Sequence, residues 1–391
     1  MARKRAWALA VILLVGFLIL GCPPGGPIRI AVVVPLSGVH QVYGQAVRQG
    51  IDLALDELRA DPEFPEEIEL VVADTQSNPL RAAEKLEEAF DQGALAAIGG
   101  ITTGEAREML PVIDRYDRVL LSPTASSPEF TEISRNFYRI CPSDFNAALK
   151  MARFARDTLK INSVVVGEMQ ETKGIQDVFR ELFTEYGGRV LDAIDYPPHT
   201  LDHSGTVERI FTLKPQAVYV AGYQAAIGNL IQALRRTGYP GRILTTSAFA
   251  STAAIARVGE DAVGVVLTQT FFELDSEYAH VQSFGRRYEE KYGEPPDINA
   301  AQGYDALRVL ATAAAGRLRL RHELRKGLRE IREYPGVTGS IQFSEKGEVL
   351  KYPRVYVIGK DLLLYDYAKR IQEEKERIRR EIEELRKKRA G

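Results

Sequence analysis

The stretch Ile28-Arg-Ile-Ala-Val-Val-Val-Pro35 decides the fold. Its nearly continuous run of apolar, mostly β-branched residues predicts a strand that is buried on both faces, and Pro35 ends it. The amphipathic stretch from Ala46 to Leu58, which follows, predicts a helix. A buried strand that leads into such a helix begins a strand–helix–strand unit, and this unit requires a parallel sheet.

The alternation of strands and helices continues beyond this unit. In the first half, we predict strands at Ile68–Ala73, Leu95–Ile98 and Val119–Ser122 and helices at Pro79–Phe90 and Glu105–Tyr116. The pattern then restarts with a helix at Ala147–Leu159 and strands at Ser163–Val166, Val190–Asp195, Ala217–Ala221 and Ile243–Thr246. The sequence therefore predicts an α/β protein of two lobes, each with a mostly parallel sheet flanked by helices.

Two further predicted strands, Thr338–Phe343 and Tyr352–Ile358, are too few to form a domain. We expect them to complete the earlier sheets, so that the chain crosses between the lobes several times. The predicted division assigns residues 28–145 and 271–345 to lobe 1 and residues 146–270 and 346–366 to lobe 2.

Residues 367–391 form a tail that is dominated by Glu, Lys and Arg. Oppositely charged pairs such as Glu373 and Arg377 lie four residues apart in the favourable order, which predicts a charged C-terminal helix. A thin apolar stripe that begins at Ile371 is interrupted by Lys375. The helix is therefore either simply solvated or pairs with another subunit or a membrane partner.

The first 22 residues have the pattern of a secretory signal peptide, with a positive start and the apolar run Ala8–Leu20. The segment Ile19-Leu-Gly-Cys22 resembles the bacterial lipobox, which implies a lipid on Cys22 after cleavage. An uncleaved anchor helix is the alternative. In both cases residues 23–27 form a Pro/Gly spacer, and we expect the body to lie outside the cytoplasm, anchored to a membrane.

Composition and motifs exclude several functional classes. The chain has 51 basic and 53 acidic residues, a net charge of −2, which predicts no nucleic-acid partner. It has no phosphate-binding loop, dinucleotide glycine motif or serine nucleophile elbow, so we predict neither an enzyme nor a cofactor. His199 and His203 lie in a predicted loop, which argues against a metal site. Cys141 is expected to be buried and unpaired.

Four polar loops follow predicted strands. They are Pro35–Gly44, Gly99–Gly104, Ser122–Pro128 and Ala221–Gln224. Ligands of open α/β sheets bind at the carboxyl ends of the strands. The second loop leads into a helix, whose free N–H groups favour a carboxylate, and Thr103 and Ser126 offer hydroxyl donors. The alternative is that these Ser and Thr residues only cap helices.

The order of these segments resembles the type I periplasmic solute-binding family of the leucine/isoleucine/valine-binding kind. The resemblance extends from Ile28 to about Tyr365. The segments that carry it are Ile30–Gly38, Tyr43-Gly44, Gly50–Ala54, Asp74 with the helix Pro79–Phe90, Ile98-Gly99, Leu121–Pro128, Val218–Tyr223 and Gly303–Ala306. It implies two lobes joined by three crossovers that close on a small ligand and deliver it to the permease of an ABC transporter.

The resemblance also implies roles for individual residues. Thr103 and Ser126 would hold the carboxylate of the ligand, and Thr124 would offer its carbonyl to an ammonium group. Tyr43 would line the cleft from lobe 1, and Tyr223 would line it from lobe 2.

Three positions depart from the leucine-type pattern. Thr172 stands where those members have an aromatic residue, Ser247 where they have an acid that pairs with the ammonium group, and a further aromatic is replaced near Asn299. Glu168 or Glu171 is an alternative partner for an ammonium group. We therefore expect an amino acid or a related carboxylate or amide as the ligand.

The same two-lobed body also occurs in regulatory lipoproteins, such as activators of cell-wall synthesis, and this alternative stays open.

Overall fold

The computed structural model describes residues 26–169, 174–197, 202–316 and 321–390, which form two β-sheets with helices on both faces. The strands are β1 Ile28–Val34, β2 Ile68–Asp74, β3 Ala96–Gly99, β4 Val119–Ser122, β5 Phe137–Arg139, β6 Ser163–Met169, β7 Arg189–Tyr196, β8 Ala217–Ala221, β9 Arg242–Thr245, β10 Val266–Gln269, β11 Tyr334–Gly336, β12 Gly339–Ile341, β13 Arg354–Ile358 and β14 Leu364–Asp366. The helices are α1 Gln41–Ala60, α2 Pro79–Asp91, α3 Thr103–Tyr116, α4 Asp144–Asp157, α5 Ile175–Glu185, α6 Ser204–Leu213, α7 Gln224–Arg236, α8 Thr252–Val258, α9 Ala279–Tyr292, α10 Ile298–Ala314, α11 Arg321–Glu330 and α12 Tyr367–Ala390.

The first sheet is entirely parallel, in the order β2-β1-β3-β4-β5. Its core strand β1 buries six of its seven residues, as the apolar run predicts, and Arg29 is the exposed one. Helices α1 and α10 pack on one face and α2 and α3 on the other. All the carboxyl ends of its strands therefore lie at one edge.

The second sheet has the order β14-β13-β10-β9-β8-β6-β7 and is parallel from β10 to β7. The last two strands, β13 and β14, are antiparallel additions at one edge. Helices α4 and α5 cover one face, and α6, α7 and α8 cover the other. The predicted class, two α/β lobes with mostly parallel sheets, is confirmed.

The chain passes between the two sheets three times: after β5, after β10 and before β13. The strand predicted at Tyr352–Ile358 begins at Arg354 and joins the second sheet, as expected. The exact lobe boundaries stay a prediction.

The strand predicted at Thr338–Phe343 does not complete the first sheet, and that expectation was wrong. Its observed part, β12, pairs antiparallel with β11 in a separate two-stranded ribbon. The carboxylate of Asp305 on α10 accepts hydrogen bonds from the backbone N–H groups of Val337 (2.8 Å) and Thr338 (2.9 Å) in the ribbon turn. This buried acid fixes the turn against α10, away from the sheet edge.

Helices α1 and α4 begin three or more residues earlier than the sequence pattern predicts. Helix α1 starts at Gln41 and α4 starts at Asp144. The side chain of Ser143 caps α4 by accepting a hydrogen bond from Phe145 N at 3.3 Å, which extends the helix by one turn. The loops before both helices are correspondingly shorter than expected.

Helices α1 and α10 approach each other backbone to backbone. A Cβ atom at Gly50 of α1 would lie 1.9 Å from the carbonyl oxygen of Ala300, and one at Gly303 would lie 2.3 Å from that of Val47. Only glycine permits this approach. The contact sets the position of the first turns of α10.

The predicted charged tail forms α12. It is attached at its start, where Tyr367 packs edge-on against Phe154 with ring centroids 4.7 Å apart. Ile378 and Ile382 further along remain 43% and 44% exposed, so whether they pair with a partner stays open. Of the helices in the described ranges, none combines the length and the apolar character that crossing a membrane requires.

Candidate functional site

A cavity that is partly open to solvent lies between the carboxyl ends of the two sheets. The segments that follow β3, β4, β8, β9 and β10 line it, together with the starts of α1 and α10. The cavity thus occupies the place where open α/β sheets bind ligands.

Most of the side chains predicted to bind a ligand meet in this cavity. Those that line it are Tyr43, Thr103, Thr124, Ser126, Tyr223 and Ser247. Thr172 lies outside the described residues, and so do Cys22, Glu171 and His199. The role of each residue toward a ligand stays a prediction, but the fold brings the described ones together from two helices and three loops.

The N-terminus of α3 opens toward the cavity. Thr102, not Thr103, is the cap: its hydroxyl accepts from Glu105 N at 3.2 Å, and the Glu105 carboxylate accepts from Thr102 N at 3.3 Å. The N–H groups of Thr103 and Gly104 lie in the first turn, where a helix has no internal acceptor for them. With the Thr103 hydroxyl and the positive end of the helix dipole, they suit a carboxylate.

The loop after β4 is tied to the loop after β3. The Ser122 hydroxyl donates to Gly100 O at 2.8 Å and accepts from Ala125 N at 3.0 Å. The Thr124 hydroxyl donates to Ile101 O at 2.7 Å. These bonds hold the two predicted carboxylate-binding loops in one fixed arrangement.

Ser126 is linked to an acid that the sequence analysis missed. Its hydroxyl donates to Oδ2 of Asp144 at 2.8 Å, and its carbonyl accepts from Asp144 N at 2.8 Å. Asp144 lines the cavity and is 5% exposed. Burial raises the pKa of its carboxyl, while the hydrogen bond from Ser126 and the charge of Arg139 act in the opposite direction. The signal was present in Ser143-Asp144, a cap followed by a first-turn acid, but the predicted helix began only at Ala147.

The opposite wall belongs to the second sheet. Ser247 lies in a short 3₁₀ turn after β9, and Thr268 and Gln269 end β10. Both β10 side chains are buried, and in the part of the chain that the structure describes Thr268 Oγ1 and Gln269 Oε1 have no hydrogen-bond partner. The four-residue strand β10 was not predicted, because so short an apolar run gives no clear periodicity.

The two lobes touch each other across the cavity. The Tyr43 hydroxyl donates to Ala248 O at 3.0 Å and accepts from Gln224 N at 2.8 Å, so it joins segments about 200 positions apart. The ring of His40 packs edge-on against Tyr223 at 4.5 Å between centroids. Burial raises the pKa of Tyr43 well above its usual range, so its hydroxyl stays a donor. The two sides of the cleft are therefore in direct contact in this structure.

The comparison with known families matches this architecture. The model of a family described as periplasmic binding protein covers residues 27–357. The chain belongs to this family. The resemblance predicted from the ordered segments is thereby confirmed, together with its two-lobed fold.

Relatives of this binding protein have the same extent. The Leu/Ile/Val-binding protein BraC3 of Rhizobium johnstonii is 25% identical over 331 residues, which cover 82% of this chain and 89% of the relative. The leucine-binding protein LivK of Thermotoga maritima has a TM-score of 0.79 at 28% identity, covering 85% of this chain and 95% of that one. LivJ of Streptococcus pneumoniae, solved in complex with isoleucine, has a TM-score of 0.80 at 22% identity, covering 87% and 99%, and shares the fold.

Glu168, the suggested alternative partner for an ammonium group, is engaged elsewhere in the binding protein. Its carboxylate accepts from Ile175 N at 3.1 Å and from Gln176 N at 3.2 Å, at the start of α5. Burial raises its pKa to about 7. Glu168 is not among the residues that line the cavity.

The remaining side chains that could act as nucleophiles or metal ligands were also considered: Cys141, His203 and the other described His, Cys, Asp and Glu residues. Cys141 is buried and unpaired, as expected, and burial raises the pKa of its thiol to about 12, which makes it a poor nucleophile. His203 precedes α6 and is buried. Within residues 26–169, 174–197, 202–316 and 321–390, no three His, Cys, Asp or Glu side chains group as metal ligands would.

Proposed function

We propose that this protein is the extracytoplasmic solute-binding component of an ABC transporter and captures a small carboxylate-bearing ligand, an amino acid or a related compound, in the cleft between its lobes. The observation that carries the proposal is the N-terminus of α3, where Thr102 and Thr103 line the cavity between the lobes. Relatives named for leucine, isoleucine and valine binding support the amino-acid class.

The ligand binds first to lobe 1, whose loops are already fixed by the hydrogen bonds of Ser122 and Thr124. Lobe 2 then closes over it through the three crossovers, and the Tyr43 hydroxyl bonds across the cleft. A ligand shifts this equilibrium only by its greater affinity for the closed form. The closed form is what the permease would recognise.

The anchor belongs to the same proposal. Residues 1–22 would serve as the signal peptide, a lipid on Cys22 would hold the protein at the membrane, and residues 23–27 would act as the spacer. Replacement Cys22→Ser is expected to release the protein into the soluble fraction after cell lysis. Unchanged membrane association of this variant would contradict the lipid anchor.

The ligand site is tested by thermal unfolding in the presence of single amino acids, aliphatic and aromatic monocarboxylates, and their amides. A compound that binds only the folded protein raises the Tm, because it stabilises the protein by RT ln(1 + [L]/Kd). We expect at least one carboxylate to do so and the matching amide to do so less. If no small solute changes the Tm, the transport role is wrong, and a role in binding another protein is favoured.

A proline substitution tests the placement of the carboxylate. Thr103→Pro removes one N–H and one hydroxyl, but proline is tolerated at the first helical position after the extended Thr102. We expect about 1–3 kcal/mol weaker binding of the carboxylate ligand by calorimetry. Thr252→Pro makes the same change at the start of α8, away from this cavity, and is the matched control. Equal affinities of the two variants would contradict the placement.

A further inference from the structure

The C-terminal helix α12 leaves the two-lobed body soon after it begins. Lys369 Nζ donates to the carboxylates of Glu273 and Asp275, in the segment that follows β10, at 3.5 and 3.3 Å. From Gln372 onward, the side-chain hydrogen bonds and ion pairs of the described residues stay within the helix. The family model ends at residue 357, ahead of α12. The helix is therefore attached by its first turn, and the rest of its described length lies in solvent.

The large apolar residues of α12 follow a seven-residue repeat. Ile371 and Ile378 are seven positions apart, and Ile382 follows four positions later, which places them at heptad positions d, d and a. All three are exposed. An isolated helix is only marginally stable in water, and most helices gain stability by burying such a stripe. This spacing is the one that a coiled coil buries.

The residues that flank the stripe carry opposite charges on its two sides. With Ile378 at d, the g positions hold Glu374 and Glu381, and the e positions hold Arg379 and Arg386. In a parallel pair of helices, each g residue lies opposite the e residue five positions further along the partner, so every acid meets an arginine. In an antiparallel pair, g faces g and e faces e, so acid would meet acid. The charges fit a parallel second copy of the same helix.

The acids at the g positions remain accessible to a partner. Arg377 donates to Glu374 at 2.6 Å and lies 3.6 Å from Glu381 within the same helix. The two acid side chains are nevertheless 46% and 62% exposed, and ion pairs at such a surface are weak. Acids directly beside the apolar stripe also disfavour an anionic lipid surface as the partner. A second protein helix with arginines at its e positions satisfies both acids.

We propose that α12 pairs with the α12 helix of a second copy of this chain in a parallel, two-stranded coiled coil. Lys375 occupies an a position of the stripe. A lysine there specifies the register and the number of strands, and in a two-stranded coil its long stem lets the ammonium group reach water. Parallel pairing places the two bodies at the same end of the coil, related by a twofold axis. The pairing does not depend on what the cleft binds.

Disulfide crosslinking of the full chain in whole cells tests the pairing. In a parallel pair, a residue at a or d faces its own copy, within the distance that a disulfide spans. We expect Ile371→Cys, Ile378→Cys and Ile382→Cys each to give a covalent dimer after oxidation with copper phenanthroline. Arg380→Cys, at the outward f position, is the matched control and should give at least 10-fold less dimer.

The other outcomes of this experiment overturn the proposal. An antiparallel pair opposes different positions of the two helices, so it links at one of the three apolar positions at most. No link at any of them means that the helix is solvated or lies on another surface, including the membrane. Equal amounts of dimer from the Arg380→Cys control mean that the chains meet only by collision.

A charge reversal tests the recognition between the helices. Replacing both g residues, Glu374→Lys with Glu381→Lys, places cations opposite the arginines of the second copy, and the crosslink at the central d position should fall at least 10-fold. Adding Arg379→Glu and Arg386→Glu restores opposite charges and should restore the link. Arg377 still lacks both acids in the restored variant, so ion pairs within one helix do not explain such a recovery. A link that does not recover overturns the parallel charge pairing.

Discussion

On one side of the cleft, hydrogen bonds connect the loop that follows β3 with the loop that follows β4. On the other side, the side chains at the ends of β9 and β10 make fewer such bonds. On the lobe 1 side, Ser122 and Thr124 both donate to carbonyls of the neighbouring loop. On the lobe 2 side, Thr245 makes one such bond, to Val220 O at 2.7 Å. Within the described ranges, the oxygen atoms Thr268 Oγ1 and Gln269 Oε1 have no hydrogen-bond partner.

This difference assigns separate tasks to the two walls. A wall whose donors are already fixed can bind the chemical group that all ligands of a class share without losing conformational entropy on binding. A wall with buried groups that lack partners discriminates between ligands, because a ligand that leaves them without partners binds less tightly. If the proposed function is correct, lobe 1 would recognise the charge of the ligand, and lobe 2 would select for the rest of it.

The largest loss of stability is expected from a substitution in the contact between helices α1 and α10 of lobe 1. The Cβ atom of Gly50→Ala would lie 1.9 Å from Ala300 O, so α1 and α10 must separate. We expect a loss of about 3 kcal/mol in the free energy of unfolding, measured with urea. Gly205→Ala, on α6, meets no atom within 4 Å and should cause no loss. If Gly50→Ala causes no loss either, the close contact between the backbones of α1 and α10 is not needed for the stability of lobe 1.

A matched pair of hydroxyl deletions compares the walls directly. Ser122→Ala removes a buried hydroxyl that makes two hydrogen bonds, which should lower the free energy of unfolding by about 1–3 kcal/mol. Thr268→Val removes a buried hydroxyl without a partner in the described part of the chain, so stability should stay the same or rise. Ligand preference, in contrast, should change mainly in Thr268→Val. Similar losses of stability in both variants would remove the distinction between the walls.

The contact between the walls is expected to be worth about 1–2 kcal/mol. Tyr43→Phe leaves Ala248 O and Gln224 N without their partner in the closed form only. We expect a faster ligand dissociation rate in stopped-flow measurements and a larger radius of gyration in solution scattering. Tyr138→Phe is the control, because its hydroxyl is buried and has no hydrogen-bond partner among the described residues. Unchanged dissociation in Tyr43→Phe would show that this hydroxyl does not hold the cleft closed.

The smallest expected effect is a pH dependence of stability that Glu168, in the second sheet, causes. Burial raises the pKa of Glu168 from 4.5 to about 7, so the folded protein binds this proton more tightly than the unfolded chain does. The contribution of Glu168 to stability is therefore full below pH 4.5, falls as the pH rises to about 7, and is constant above that value. We expect Glu168→Gln to be about 1 kcal/mol more stable than the wild type at pH 8 but not at pH 5. Parallel pH profiles in urea unfolding would contradict this.

Much of the site could be predicted because it follows from strand order. Thr103, Thr124 and Tyr223 lie just after three strands of clear pattern, and parallel strands bring their carboxyl ends to one edge. The sequence analysis did not predict Asp144 or Thr268 as site residues. Asp144 lies at the capped start of α4, and Thr268 lies in the four-residue strand β10, and neither feature has a clear sequence pattern. Both boundaries are fixed by neighbours that are distant in the sequence.

The sequence by itself determined the alternation of strands and helices, the two mostly parallel sheets and the loops that face the cleft, because hydrophobic period and strand length are local properties of the chain. Only the tertiary structure decided that β12 leaves the first sheet, that Tyr43 bonds across to Gln224 and Ala248, and that Asp144 lies buried in the cleft. These outcomes depend on burial and on hydrogen bonds between segments far apart in the chain, and no local pattern encodes them.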